Sequence, residues 1–170
     1  MRTYDASSAE CLVFTYREGL LSRAGHDLKL RVRDFTVRFT DEGVEATFDP
    51  RSFEVVSAME GGREKPSALS ERDKRQVVDN IERQVLHVAR FREIRFAAER
   101  PDDDATELRG RLTLHGIERP VTVTLSDDGD HREARLRIHQ PDFRIEPFRA
   151  MLGALRIRPE VDVVLRIPRA

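Results

Sequence analysis

The chain has 170 residues, an ordinary size for one domain, and we expect residues 1–170 to form a single domain. Its 30 Lys and Arg are matched by 31 Asp and Glu, which leaves a net charge of −1. Binding to a phosphate backbone needs a basic excess, so this balance argues against a nucleic-acid partner.

The N-terminal residues lack the unbroken apolar run of a secretory signal. No segment approaches the roughly 18 apolar residues of a membrane-spanning helix. We therefore expect a cytoplasmic protein without a membrane span. The single cysteine, Cys11, has no partner for an internal disulfide, and its apolar neighbours predict a small buried side chain.

The first third of the chain predicts short strands with one apolar face each. Apolar residues alternate with charged ones over 28–32, but after Asp34 the alternation continues with the opposite parity. A strand cannot change its buried face without a bulge or a bend, so we place one at Arg33 or Asp34. A polar link is expected at 18–27. The strands expected here lie at 12–17, 28–32, 35–39, 44–48 and 53–55.

One helix is predicted around residues 70–87. Residues 57–69 have the composition of a loop, and Ser70 follows as an N-cap, with Asp73 three residues later as in a capping box. Apolar residues then recur at helical spacing, which predicts one face packed on a core. They are Val77, Val78, Ile81 and Val85.

The remainder of the chain returns to alternating strands. The stretch "GRLTLHGIERPVTVTL" (110–125) reads as two strands joined at His115 and Gly116, with further strands near 94–96, 134–138 and 160–168. About eight or nine short antiparallel strands with one helix predict an all-β fold, either a closed barrel or a sandwich.

The residues that could support chemistry are few. The five histidines form no H-x-H or H-E-x-x-H pattern, and no paired cysteines occur, so no metal site is expected. No nucleophile elbow, phosphate-binding loop or dinucleotide fingerprint occurs either, so no cofactor and no enzymatic activity are predicted. His26 and Asp27 form the one notable polar pair. A hydrolase built on them ranks last, because local bonds to loop backbone explain them better.

Three stretches together resemble the YceI-like family of lipocalin-like barrels. They are "SERDKRQVVDNIERQVLHVARFREIRF", "GRLTLHGIERPVTVTL" and "FRIEPFRAMLGALRIRPEVDVVLRIP", and the resemblance extends over about 11–168. It implies an eight-stranded antiparallel β-barrel with the helix of residues 70–87 inserted. It also implies non-enzymatic binding of a polyisoprenoid or similar amphiphile inside the barrel.

We therefore expect the chain to bind or carry a polyisoprenoid, a prenyl quinone or a fatty-acyl lipid. The alternative is a stress-related structural or interaction protein with a filled core and no ligand. A homodimer is compatible with either function. His26 and Arg149 are the candidates for head-group contact, since both lie near loops that border apolar runs. The candidate ligand contacts are Leu28, Leu30, Val32, Phe39, Phe96, Leu112, Leu114, Val121, Val123, Leu136 and Ile138.

Overall fold

The structure, a computed structural model, describes residues 1–18 and 25–169. Residues 19–24 of the predicted link lie outside the described residues. Antiparallel strands dominate, as predicted. They are β1 Arg2–Asp5, β2 Glu10–Thr15, β3 Arg17–Glu18, β4 Asp27–Val32, β5 Phe35–Phe39, β6 Gly43–Phe48, β7 Phe53–Glu60, β8 Arg63–Lys65, β9 Ile94–Glu99, β10 Glu107–Leu114, β11 Ile117–Asp128, β12 His131–His139, β13 Arg149–Ala150, β14 Leu155–Ile157 and β15 Glu160–Pro168.

Twelve of these strands form one curled sheet, in the order β1-β5-β6-β9-β10-β11-β12-β15-β2-β4-β7-β8. The remaining three form a small sheet in the order β13-β14-β3. The prediction of an eight-stranded closed barrel is therefore wrong: the large sheet is a half-barrel that begins at β1 and ends at β8. The short polar strands β1 and β8 lack the apolar alternation that reveals a strand in a sequence.

The change of apolar parity near Asp34 is a sharp bend, as the sequence indicates. β4 ends at Val32 and β5 begins at Phe35, and between them the backbone N–H of Arg33 donates to the carbonyl of Ser52 at 3.0 Å. Both Val32 and Phe35 are buried, so the bend lets consecutive strands face the same core.

The predicted loop at 57–69 is instead mostly a hairpin. β7 continues to Glu60, and Gly61 and Gly62 turn the chain directly into β8. Their φ angles are 56° and 76°, in the left-handed region that a two-residue hairpin turn requires and that glycine adopts without strain. The charged residues of β8 concealed this strand.

The helix α1 spans Glu71–Asn80 and has the predicted capping box. The hydroxyl of Ser70 accepts from the backbone N–H of Asp73 at 3.1 Å, and the Asp73 carboxylate accepts from the backbone N–H of Ser70 at 3.0 Å. Beyond α1 the chain continues as a π-helical turn, Ile81–Val85. The four predicted apolar positions are partly buried and pack against the two core clusters, as predicted.

Candidate ligand cavity

The concave face of the large sheet encloses a cavity of about 830 Å³. Most of its wall is aliphatic, and it is contributed by β2, β4 to β7, β9 to β12 and β15. The helical insertion completes the wall with Ile81, Val85 and Leu86. The volume lies within the range of about 300–1,000 Å³ that is typical of small-molecule sites.

Alternation along the strands explains why this wall is apolar. On β12, Ala134, Leu136 and Ile138 face the cavity, whereas Arg135 and Arg137 between them are exposed. Successive side chains of a strand point to opposite faces, so one series lines the cavity and the other meets solvent.

Nine of the eleven candidate ligand contacts line the cavity. Leu28 and Val121 do not; each is partly buried and packs against a neighbouring core cluster. The nine are Leu30, Val32, Phe39, Phe96, Leu112, Leu114, Val123, Leu136 and Ile138.

The two head-group candidates lie outside the cavity wall. His26 is half-buried just before β4, and Arg149 lies on β13, where its guanidinium is 3.7 Å from the Glu146 carboxylate. Arg149 belongs to the small sheet, which contributes no residue to the cavity wall. Asp27 has the local role expected of it, because its carboxylate accepts from the backbone N–H of Arg17 at 2.7 Å.

A polar rim at one end of the cavity was not foreseen from the sequence. We define this rim by Arg2, Asp41, Arg100, Arg132 and Arg169, all of which line the cavity. The Arg132 guanidinium donates to the carbonyls of Asp103 and Ala105, both at 2.6 Å, and so fixes the neighbouring loop. Asp41 and Arg100 lie in loops and Arg169 follows the last strand, while Arg2 and Arg132 lie on β1 and β12, so no shared periodic pattern marks the rim in the sequence.

One polar atom in the wall has no partner. The hydroxyl oxygen of Thr15 is buried, lines the cavity region and makes no hydrogen bond within the described part of the chain. A buried hydroxyl without a partner is costly, so it favours a polar ligand atom or a water molecule beside it.

The outer face of the sheet carries a hydrogen-bonded group next to this wall. Asp162 accepts from the Tyr16 hydroxyl and from two nitrogens of Arg137, both at 2.8 Å. Burial and the hydrogen bond to Asp162 raise the pKa of Tyr16 to about 12. The hydrogen bond from Arg137 holds the pKa of Asp162 below its ordinary value. Both groups keep fixed charge states at neutral pH, which suits a structural role.

Cys11 also lines the cavity. It is 1% exposed, and burial raises the pKa of its thiol to about 12. The thiol is therefore protonated at neutral pH and a poor nucleophile. Among the described residues, no cluster of three or more His, Cys, Asp or Glu side chains could hold a metal ion.

Comparison with known proteins assigns the family. Residues 6–168 match the family described as YceI-like domain. The chain belongs to the YceI-like family. This confirms the resemblance found in the sequence, and the match includes nearly every strand of the cavity wall. None of the curated proteins matches the sequence. Within the described residues, no helix is both long and apolar enough to cross a bilayer.

Solved structures show the same fold at low identity. BcnA from Burkholderia cenocepacia is 13% identical with a TM-score of 0.61, covering 98% of this chain and 99% of that one. A structure from Saccharophagus degradans, described as a polyisoprenoid binding domain implicated in plant cell wall breakdown, is 10% identical with a TM-score of 0.61, covering 98% and 97%. The YceI protein of Campylobacter jejuni is 10% identical with a TM-score of 0.51, covering 84% and 85%.

Proposed function

We propose that this YceI-like protein binds the apolar chain of an amphiphile in its cavity and does not alter it chemically. The observation that carries the proposal is the aliphatic cavity of about 830 Å³. The description of the Saccharophagus degradans relative as a polyisoprenoid binding domain supports it. Polyisoprenoids, prenyl quinones and fatty-acyl lipids all have the required chain.

The wall favours a flexible aliphatic chain over a flat ring system. Leucine, valine and isoleucine dominate it, and its aromatic side chains are spread over separate strands: Tyr4, Phe39, Phe48, Phe53 and Phe96. Burying one CH₂ group contributes about 0.8 kcal/mol, so one five-carbon isoprene unit contributes roughly 4 kcal/mol before ordering costs. Since about 8 kcal/mol net corresponds to micromolar binding, a few units in the cavity suffice.

The polar head group is proposed to lie at the rim rather than at His26 or Arg149. The rim supplies the guanidinium of Arg2, which makes no ion pair within the described residues, and that of Arg100, whose contact with Asp41 is long at 3.8 Å. Both side chains can turn toward an oxygen-bearing head group. Thr15 offers a second polar contact inside the wall.

The cavity speaks against the alternative of a filled core without ligand. In a filled barrel the inward side chains meet one another, whereas here those of β10, β12 and β15 border open space. The cytoplasmic location, the single domain over 1–170 and a homodimer stay predictions.

The test is native mass spectrometry of freshly purified protein, followed by lipid extraction of the same sample. We expect an added mass that disappears on denaturation and reappears in the extract as an amphiphile. Delipidated protein is then titrated with a prenyl quinone, a prenyl phosphate and a long-chain fatty acid. Absence of any added mass, together with no saturable binding of these three probes, would refute the proposal.

A further inference from the structure

A second cleft lies on the outside of the molecule, between the turn after the π-helical segment and the tip of the β10–β11 hairpin. We call it the arginine cleft. It shares no lining residue with the lipid cavity. Its wall contains five arginines and one glutamate, together with two histidines and one aromatic ring. These residues are Arg51, Arg83, Arg90, Arg92, Arg144, Glu82, His87, His115 and Phe91.

Two of the five arginines are neutralised by acids next to the cleft. Arg51 pairs with Asp49 at 2.7 Å, and Arg83 lies 3.5 Å from Asp79. Arg90, Arg92 and Arg144 form no ion pair in the part of the chain that the structure describes. These three arginines and Glu82 together give the cleft wall an excess of two positive charges, in a protein whose overall charge is −1.

The two histidines form a hydrogen-bonded pair in this wall. His87 Nδ1 lies 3.0 Å from His115 Nε2, and His115 Nδ1 lies 3.2 Å from the carbonyl oxygen of Phe143. A carbonyl only accepts, so His115 donates from Nδ1, its Nε2 accepts, and His87 donates from Nδ1. The Nε2 of His87 then stays available for a further hydrogen bond.

Packing holds the pair in place. The Phe91 ring lies 4.2 Å from the His115 ring, and a Cβ atom at Gly116 would come within 2.7 Å of Phe91, so glycine is required there. His87, His115 and Arg144 have φ angles near 50°, which is uncommon for residues other than glycine. Burial, followed by the charges of His87 and Arg90, lowers the pKa of His115.

We propose that the arginine cleft binds the diphosphate or phosphate group of a small anionic molecule. Unpaired guanidinium groups are suited to phosphate because their planar donors match its oxygens, often two at a time. The cleft shares no lining residue with the cavity, so the proposal can fail without affecting the proposed function, and the reverse also holds.

The probe is inorganic diphosphate, titrated into the full-length protein by calorimetry at low ionic strength. We expect saturable binding to one site. In a parallel NMR titration, the ring protons of His87 and His115 shift, while those of the other three histidines, including His131, stay in place. The NMR result on unmodified protein needs no variant to fold.

The double variant Arg92→Gln/Arg144→Gln is expected to weaken diphosphate binding by roughly 100-fold, about tenfold for each charge-assisted hydrogen bond removed. Arg109→Gln is the matched control, because this exposed arginine lies on β10 and outside both cavities. It should bind like the unmodified protein. Equal weakening by the control, no saturable binding, or unshifted His87 and His115 signals would overturn the proposal.

Farnesyl diphosphate distinguishes the two sources of such a group. If farnesyl diphosphate binds as tightly as inorganic diphosphate, and the double variant weakens both equally, the site takes a free anion. If farnesyl diphosphate binds at least tenfold more tightly than inorganic diphosphate, and the double variant abolishes this binding as well, the site takes the head group of a lipid.

Discussion

The sharpest test of the proposed ligand binding is a single carboxylate placed on the cavity wall. Ala46 lies on β6, is 5% exposed and lines the cavity between its register partners Val37 and Phe96. In Ala46→Glu the new carboxylate is hydrated while the cavity holds water. A bound alkyl chain removes that water, so the carboxylate must take up a proton before the chain can enter.

The magnitude follows from the protonation equilibrium. Bringing a glutamate of ordinary pKa, about 4.3, to its neutral form at pH 7 costs about 3.7 kcal/mol, or roughly 500-fold in affinity. At pH 5 the same step costs only about 1 kcal/mol, or roughly fivefold. We therefore expect a loss of binding in Ala46→Glu that is large at neutral pH and mostly recovered in mild acid.

Two matched variants separate charge from volume and from location. Ala46→Leu adds a side chain of similar size without charge, and Thr47→Glu adds the same charge on the exposed face of the same strand. The assay is displacement of a fluorescent fatty acid at pH 7 and pH 5, with thermal unfolding as a check of folding. Equal affinity of Ala46→Glu and Ala46→Leu at pH 7 would refute a ligand in this cavity.

Three further predictions concern the wall and its support. Cys11 should resist alkylation in the folded protein at pH 8 and react completely in denaturant, because its thiol is buried and protonated; rapid native labelling would contradict this. Burial opposes the ionisation of Glu133, but hydrogen bonds from Arg166, at 2.9 Å, and from Arg135 outweigh this effect and lower the pKa of Glu133. The unfolded state therefore binds more protons than the folded state as the pH falls. Stability measured by urea unfolding should therefore fall as the pH drops below about 4.5, and Glu133→Gln should flatten this slope. Gly110→Ala should destabilise by about 1–3 kcal/mol in the same assay, because its Cβ would lie 2.5 Å from the Phe96 ring and 2.7 Å from the Ala97 carbonyl oxygen; unchanged stability would contradict that contact.

The strands that build the cavity could be predicted because their burial is one-sided. The alternation of Leu112 and Leu114 with Arg111 and Thr113 shows which side chains face inward, and the structure places both leucines on the wall. Leu28 and Val121 share this pattern but lie outside the wall, because alternation identifies a face of the sheet and not how far the cavity extends along it.

The number of strands, the rim and the arginine cleft could not be predicted. β8 is charged throughout, and its pairing depends on the glycine turn at 61–62 rather than on apolar residues. His87 and His115 are 28 residues apart, and their contact exists only because the turn after the π-helical segment meets the hairpin tip. Contacts between segments that are distant in sequence are set by tertiary packing, which local sequence patterns do not reveal.

Because the interior is hollow, binding of a ligand there would change how long the protein survives in the cell. A ligand that binds only the folded state adds RT ln(1 + [L]/Kd) to its stability, about 2.7 kcal/mol at a hundredfold excess over Kd. Most of the apolar side chains in the two core clusters face this space or border it, so an empty molecule lacks contacts that an occupied one has. If the chain binds the proposed ligand, proteases, which cleave opened chains, should remove unloaded copies first, and the cellular amount of the protein should follow the supply of that ligand.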